Sequence, residues 1–296
     1  MIDNSEVTHM HAEMKPAIWT TYFRDLSPED SVLAFLEAGF TYGEFSQEDA
    51  QALLNRGGDP EKLGNEFKRF LDHNGFSMPQ GHLNFQNDLT TRETVEQLKR
   101  EIALYQAIGV ENAVLHLNGG KELPLEQRRE KWFEALHELQ QQVRGTNFTL
   151  CIENLISNPE TRNCDQILGI IAKADEGNLG ICLDTGHLNA VTKDMGTETQ
   201  TQEEFILHAG KYLRALHING NNGAADLHLA PYTVRNSVDF KEVLTALYRI
   251  GYHGLFNLEI PGEVTNKPPM QVRKLKLAYL RQLLDMMLAP DFCTTE

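Results

Sequence analysis

Short β-type runs alternate with longer amphipathic helical stretches from one end of this 296-residue chain to the other, and few folds accept that pattern. Eight strand candidates stand in order: AIWTTYF from Ala17, TYGEF from Thr41, SMPQGHL from Ser77 and NAVLHL from Asn112, then FTLCIEN from Phe148, LGICLD from Leu179, LRALHIN from Leu213 and LFNLEI from Leu255. Between them lie helical patterns such as SPEDSVLAFLEAG, PEKLGNEFKRFLDHNG, TVEQLKREIALYQAIG and EQRREKWFEALHELQQQV. Ser27 suits the N-cap of the first, with Pro28 at the first helical position and Asp30 three residues beyond the cap. Gly39, Gly75, Gly109 and Gly251 stand between a helical pattern and a strand, where helices usually end. Successive βα units either close into a parallel barrel or spread into an open doubly wound sheet. No G-x-G-x-x-G follows the first strand, as the open sheet would favour, and no Pro/Gly/Ser-rich linker interrupts the series. The expected fold is α/β, a (β/α)8 TIM barrel in a single domain over residues 16–290, after a polar leader at 1–15 and before a tail at 291–296.

Composition narrows the partners. A formal charge of −15 argues against a polyanion such as nucleic acid, which clustered Lys and Arg would have to hold. No stretch is apolar enough to span a bilayer, so no membrane partner is expected, and the polar, acidic start does not read as a signal peptide. Cys151 and Cys182 sit inside apolar runs, Cys164 and Cys293 lie elsewhere, and there is no CxxC pair; reduced thiols in a cytoplasmic protein account for this.

In a barrel of this kind, chemistry collects at the C-terminal ends of the strands. From the second strand to the eighth those ends read Glu44, His82, His116, Glu153, Asp184, His217 and Glu259. His187 follows Asp184 across a Thr-Gly pair expected to turn it back towards the pocket, and Asp226 and His228 follow the seventh strand. Any one of these has a plain explanation, and Glu44 alone reads as a solvated or hydrogen-bonded strand-end carboxylate. As a set converging on one mouth they would repel and desolvate one another without compensation. A divalent cation supplies it, and imidazole with carboxylate and no nearby thiolate suits zinc, manganese, cobalt or iron.

At these positions the chain resembles the xylose isomerase-like barrel superfamily of sugar isomerases, epimerases and endonuclease IV-type AP endonucleases. The resemblance is carried by GHL at His82, LHLNG at His116, CIEN at Glu153 and CLDTGH at Asp184 and His187, then by LHIN at His217, DLH at Asp226 and His228, and LEIPG at Glu259. It spans nearly the whole chain after residue 17. For the epimerase and isomerase branch it implies one divalent metal on Glu153, Asp184, His217 and Glu259, with Glu153 and Glu259 also moving protons. For the endonuclease branch it implies three zinc ions, which would add His82, His116, His187, Asp226 and His228.

Two functions follow. The first is a metal-dependent isomerase or epimerase of a small sugar, polyol or related hydroxy-carbonyl compound. There a bound metal stabilises an enediolate, Glu153 and Glu259 exchange the proton next to the carbonyl, and His187 and Asn219 bond substrate oxygens. The second is a trinuclear-zinc phosphodiesterase of the AP endonuclease type; a metal-dependent dehydratase on the same scaffold is a third variant. Three zinc ions would bring the charge only to −15 + 6 = −9, and the loops LNFQNDLTTRET and HINGNNGAAD are not basic. The segment after the Asp-x-His motif, APYTVRNSVDF, also lacks the glycine-rich character it commonly has in both branches. These features favour the sugar-type enzyme.

Other features are weaker. Trp19, Tyr22 and Phe23 suit either the pocket or the core, Arg235 suits a solvated loop, and His9 and His11 belong to the leader. The last helical pattern, VRKLKLAYLRQLLDMML, suits the barrel's eighth helix and offers a homodimer contact.

Overall fold

The computed structural model describes residues 13–86, 88–174, 177–262 and 268–293, so His9 and His11 lie outside the described residues. Its strands are β1 (Lys15–Trp19), β2 (Tyr42–Phe45), β3 (Ser77–His82), β4 (Asn112–Leu115), β5 (Thr149–Glu153), β6 (Leu179–Asp184), β7 (Leu213–His217) and β8 (Leu255–Leu258). All neighbours pair in parallel, in the order β7-β6-β5-β4-β3-β2-β1-β8. The remaining seam, between β7 and β8, closes through the Ile218–Leu258 bridge, where the Ile218 amide donates to Asn257 O at 2.7 Å and the Glu259 amide to Ile218 O at 3.1 Å. This is the expected (β/α)8 barrel. Among the described residues no helix is long and apolar enough to cross a membrane.

The connecting helices are α1 (Pro28–Glu37), α2 (Gln47–Leu54), α3 (Pro60–Asn74), α4 (Arg92–Ile108) and α5 (Leu125–Val143), followed by α6 (Cys164–Ala174), α7 (Thr185–Ala190), α8 (Gln202–Ala209), α9 (Phe240–Arg249) and α10 (Met270–Met287). Side chains set their starts. Ser27 accepts from the Asp30 amide as expected, Asp59 caps α3 ahead of Pro60, and Thr201 with Glu204 forms a reciprocal capping box on α8. Gly75 and Gly109 end α3 and α4 in the left-handed region, at φ of 69° and 99°, which a side chain would resist.

The first strand is shorter than its apolar run. AIWTTYF leaves the sheet after Trp19 and coils into a 3-10 turn over Thr20–Phe23, because Thr20 Oγ1 is taken by the Ser46 amide at 3.0 Å. Phe23 (0% exposed) and Tyr22 (4%) therefore enter the outer core, while Trp19 lies against the His82 ring with centroids 6.1 Å apart. At its other end β1 takes in Lys15, which was expected to belong to the leader. Strand alternation sends one set of side chains outward against the helices, where most of the core lies, and the other into the barrel. In the barrel's middle are small, fully buried side chains, Val114, Cys151, Cys182 and Ala215, so both thiols are sealed and unpaired.

α10 locks the end of the chain onto its beginning. The Arg273 guanidinium grips Asp25 through two bonds of 2.8 Å, donates to Tyr22 O at 3.0 Å, and lies over the Phe23 ring at 4.6 Å, with its side chain 5% exposed. Arg273→Ala should lower the unfolding free energy by about 2–4 kcal/mol, since it removes the guanidinium that bonds Tyr22 O and Asp25 together and opens a gap under Phe23. A urea titration checks this; a loss below about 1 kcal/mol, the value of a surface pair, would mean that α10 is held by its apolar face alone.

Candidate metal centre

Every inward-facing group expected at the C-terminal mouth arrives there, and almost all of it is buried. Glu153, Asp184 and His217 are 0% exposed and Glu259 4%. Each of the four presents one donor atom, and those atoms all lie within 4.8 Å of one another. Asp184 and His217 are cross-strand neighbours at the ends of β6 and β7, Glu153 ends β5, and Glu259 follows β8 beside the seam.

Glu44 takes the hydrogen-bonded form of the two expected for it. It is 0% exposed, not solvated, and its Oε1 lies 2.9 Å from His217 Nε2 while Oε2 accepts from Asn257 Nδ2. A neutral His217 that donates its Nε2 proton to Glu44 would turn an Nδ1 lone pair into the cluster. There it meets Glu153 Oε1 at 3.3 Å and Glu259 Oε2 at 3.4 Å. Glu153 Oε1 and His217 Nδ1 are both buried with no hydrogen-bond partner. Converging acceptors without a donor call for a cation, and two carboxylates, an imidazole and Asp184 are the oxygen and nitrogen donors that a divalent metal takes. The electrostatics agree. Burial opposes a proton on His217, yet Cys182 and the Glu259, Glu44 and Glu153 carboxylates hold its pKa well above the ordinary imidazole value, so positive charge is favoured at this point. Burial, with Glu259 and Glu153 nearby, pushes Asp184 up to about 7; Glu259 is brought down to about 2 because His217 and His228 outweigh its burial.

The Thr-Gly pair after Asp184 opens the short helix α7 and is no simple turn. Asp184 caps it, Oδ1 accepting the His187 amide at 2.6 Å. His187 reaches the cluster this way, its Nδ1 3.2 Å from Glu153 Oε1 and 2.9 Å from Asn154 O. Gly186 makes room for Asn219: a Cβ there would come within 2.0 Å of Asn219 Oδ1. Asn219, expected to face substrate, is fully buried and donates through Nδ2 to Asp184 Oδ2 at 2.7 Å.

The remaining histidines form an outer arc. His116 Nε2 lies 2.6 Å and His82 Nε2 3.5 Å from Glu153 Oε2. Across the mouth, Asp226 joins His187 Nε2 (3.3 Å) to His228 Nε2 (3.0 Å), and His228 Nδ1 lies 3.3 Å from Glu259 Oε2. His82, His116 and Glu153 make one further group of donor atoms that could hold a metal, and Asp184, His187 and His228 another. Arg235 is exposed, as expected of a loop arginine. Asn154 and Asn257 escaped notice in the sequence. The Asn154 side chain brackets Asp184, accepting its amide at 2.7 Å and donating to its carbonyl at 3.0 Å. The one signal for Asn257 was a polar residue two places before Glu259, on the same side of an otherwise apolar strand.

Among curated proteins, a probable endonuclease 4 from Campylobacter hominis is 28% identical over 160 residues, covering 51% of this chain and 55% of that protein. The chain spans about half the length of the curated relatives it matches. Among solved structures, a D-psicose 3-epimerase superposes with a TM-score of 0.73 at 14% identity, covering 93% of this chain and 99% of that one. The probable 3-DHS dehydratase AsbF from Bacillus anthracis superposes with a TM-score of 0.66 at 18% identity, covering 92% and 99%. At such identities the structural likeness is one of fold. Residues 32–283, however, match the xylose isomerase-like TIM barrel family, a span that takes in every one of these donors and every strand except β1, and the chain belongs to that family.

Proposed function

We propose that the protein is a divalent-metal-dependent isomerase or epimerase of a small sugar, polyol or related hydroxy-carbonyl compound. The observation that carries this is the convergence of Glu153, Asp184, His217 and Glu259 donor atoms within 4.8 Å, with Glu153 Oε1 and His217 Nδ1 buried and unpartnered. Those four residues would hold the metal, which when bound polarises a substrate carbonyl and its neighbouring hydroxyl and so acidifies the hydrogen on the carbon beside it. Sugar epimerases and a dehydratase share the fold, in keeping with chemistry of this class.

The chain's own residues move the proton. Glu153 and Glu259 enter from β5 and from beyond β8, so a substrate seated between them offers each carboxylate a different face of the reacting carbon. Both are held ionised, Glu259 by His217 and His228 and Glu153 by His116 and His217, each against the opposing effect of burial. One accepts the proton, and the other must enter the cycle carrying one in order to return it. Glu259, His228, Asp226, His187 and Glu153 lie in succession with gaps of 3.3, 3.0, 3.3 and 3.2 Å, and a route between the glutamates would be completed when His228 and His187 turn their Nδ1 protons from the carbonyls of Glu259 and Asn154 onto the carboxylates. A proton taken up at one end can leave at the other, which resets both glutamates.

A second reading, a trinuclear-zinc phosphodiesterase, is favoured by the two further donor groups and by the endonuclease 4 relative. The charge of −15 weighs against it. Elemental analysis of protein purified without chelators separates the two: one tightly held divalent ion per chain is expected, and three zinc ions at full occupancy would transfer the assignment to the phosphodiesterase. The same ion should bind ~10–100-fold more weakly in Glu44→Leu, which removes the partner of His217 Nε2.

Glu153→Gln and Glu259→Gln keep an oxygen and the side-chain volume but remove the base. Turnover should drop ~10²–10⁴-fold in each while metal content falls only modestly; near-normal turnover in both variants would leave the mechanism without its bases. Asp226→Asn interrupts the series between the imidazoles and should lower kcat by at least about tenfold with metal content intact. An unchanged kcat there would eliminate the return route.

A further inference from the structure

The opposite end of the barrel is built unlike the rest of its interior. Strand alternation carries the inward face from Glu153 down through Cys151 to Thr149, from His116 through Val114 to Asn112, and from His82 to Gln80. Barrel interiors of this type are ordinarily filled in that layer by bulky apolar side chains. Here Gln80, Asn112, Thr149 and Lys15 line a cavity of about 870 Å³ at the N-terminal mouth, and none of the metal-centre residues contributes to it.

A bulge brings a cation to this cavity. Between Ile181 and Cys182 the partner on β7 advances from Leu213 to Ala215, so Arg214 is an extra residue in that strand. Such bulges re-aim a side chain. Gly180 accommodates the result: a Cβ there would come within 2.7 Å of Arg214 Cγ and 3.0 Å of Thr149 Cγ2. Arg214 lines the cavity and is exposed, and among the described residues no carboxylate pairs with it. Lys211 and Lys15 line the cavity too, against the single acid Glu111, a formal charge of +3 − 1 = +2. In a chain of charge −15 this is a local reversal of sign.

We propose that the N-terminal mouth is a binding site for a small dianionic metabolite bearing a phosphate monoester or paired carboxylates. The Arg214 fork matches either oxyanion in two parallel bonds, Lys211 supplies a second charge, and the Asn112 amide and Thr149 hydroxyl can satisfy polar groups on the remainder of the ligand. The volume lies within the ~300–1,000 Å³ range of small-molecule sites, so the cavity accepts more than a bare phosphate ion. The site is separate from the metal centre and stands whether or not the isomerase assignment does.

Isothermal titration of the 296-residue protein, purified without chelators, at constant ionic strength tests it, with inorganic phosphate, glycerol 3-phosphate and malonate as probes. Saturable binding is expected for glycerol 3-phosphate, for malonate, or for both; which one binds more tightly distinguishes the phosphate from the dicarboxylate class. Arg214→Gln should weaken the better probe by at least about tenfold and Lys211→Gln by a smaller factor, with unchanged far-UV circular dichroism. Should Arg214→Gln fail to fold, the surface substitution Lys211→Gln carries the test alone. No saturable binding at millimolar probe, binding that neither variant weakens, or binding that only inorganic phosphate shows would each overturn the assignment.

Discussion

A carboxylate sealed from water orders this protein's chemistry. Glu44, buried completely, occupies one nitrogen of His217 and leaves the other facing Glu153 and Glu259 with no donor between them. Such an arrangement is unfavourable in a low-dielectric interior unless a cation sits within it. The surrounding structure repeats the theme one layer further out. Asn257 holds Glu44, Asn219 holds the Asp184 carboxylate while Asn154 holds its backbone, and His116 holds Glu153, so most carboxylates of the cluster have their orientation set by a second group. Under the proposed function, rigid placement of this kind would keep base and metal in position without the cost of reorganising them during turnover.

The barrel separates two environments along its axis. At the C-terminal mouth acids and imidazoles crowd together and draw positive charge. In the middle, four small apolar side chains divide the interior. At the N-terminal mouth, lysines, an arginine and amides surround open space. The net charge of −15 contrasts with the locally cationic lining of the N-terminal mouth, and it is that contrast on which the proposed anion site rests.

The fold and the membership of the site were legible in the sequence because both rest on local, periodic signals. Eight apolar runs separated by helical patterns determine the number of βα units, and the barrel then places the strand-end groups from Glu44 to Glu259 at one mouth; the resemblance to the xylose isomerase-like superfamily, not the periodicity, set Glu153, Asp184, His217 and Glu259 apart from the others. Capping at Ser27 was equally local. What a single residue does within the site was not legible, because that depends on neighbours distant in the chain. Glu44 read as a solvated or hydrogen-bonded strand end, and no local signal says that its partners are His217, 173 positions away, and Asn257, 213 away. Asn219 read as a substrate contact, and its bond from Nδ2 to Asp184 was not legible because the two are 35 positions apart.

Register was the other hidden quantity. Nothing in LRALHIN marks Arg214 as supernumerary, because a bulge exists only between paired strands, and it is the offset between β6 and β7 that brings the arginine to the lower cavity. The sequence by itself thus determined which elements form and which chemistry gathers at the catalytic end, since periodicity and strand order are properties of one chain segment at a time. Tertiary structure alone decided protonation, hydrogen-bond roles and the character of the far mouth, since those depend on distances between segments that the chain does not place side by side.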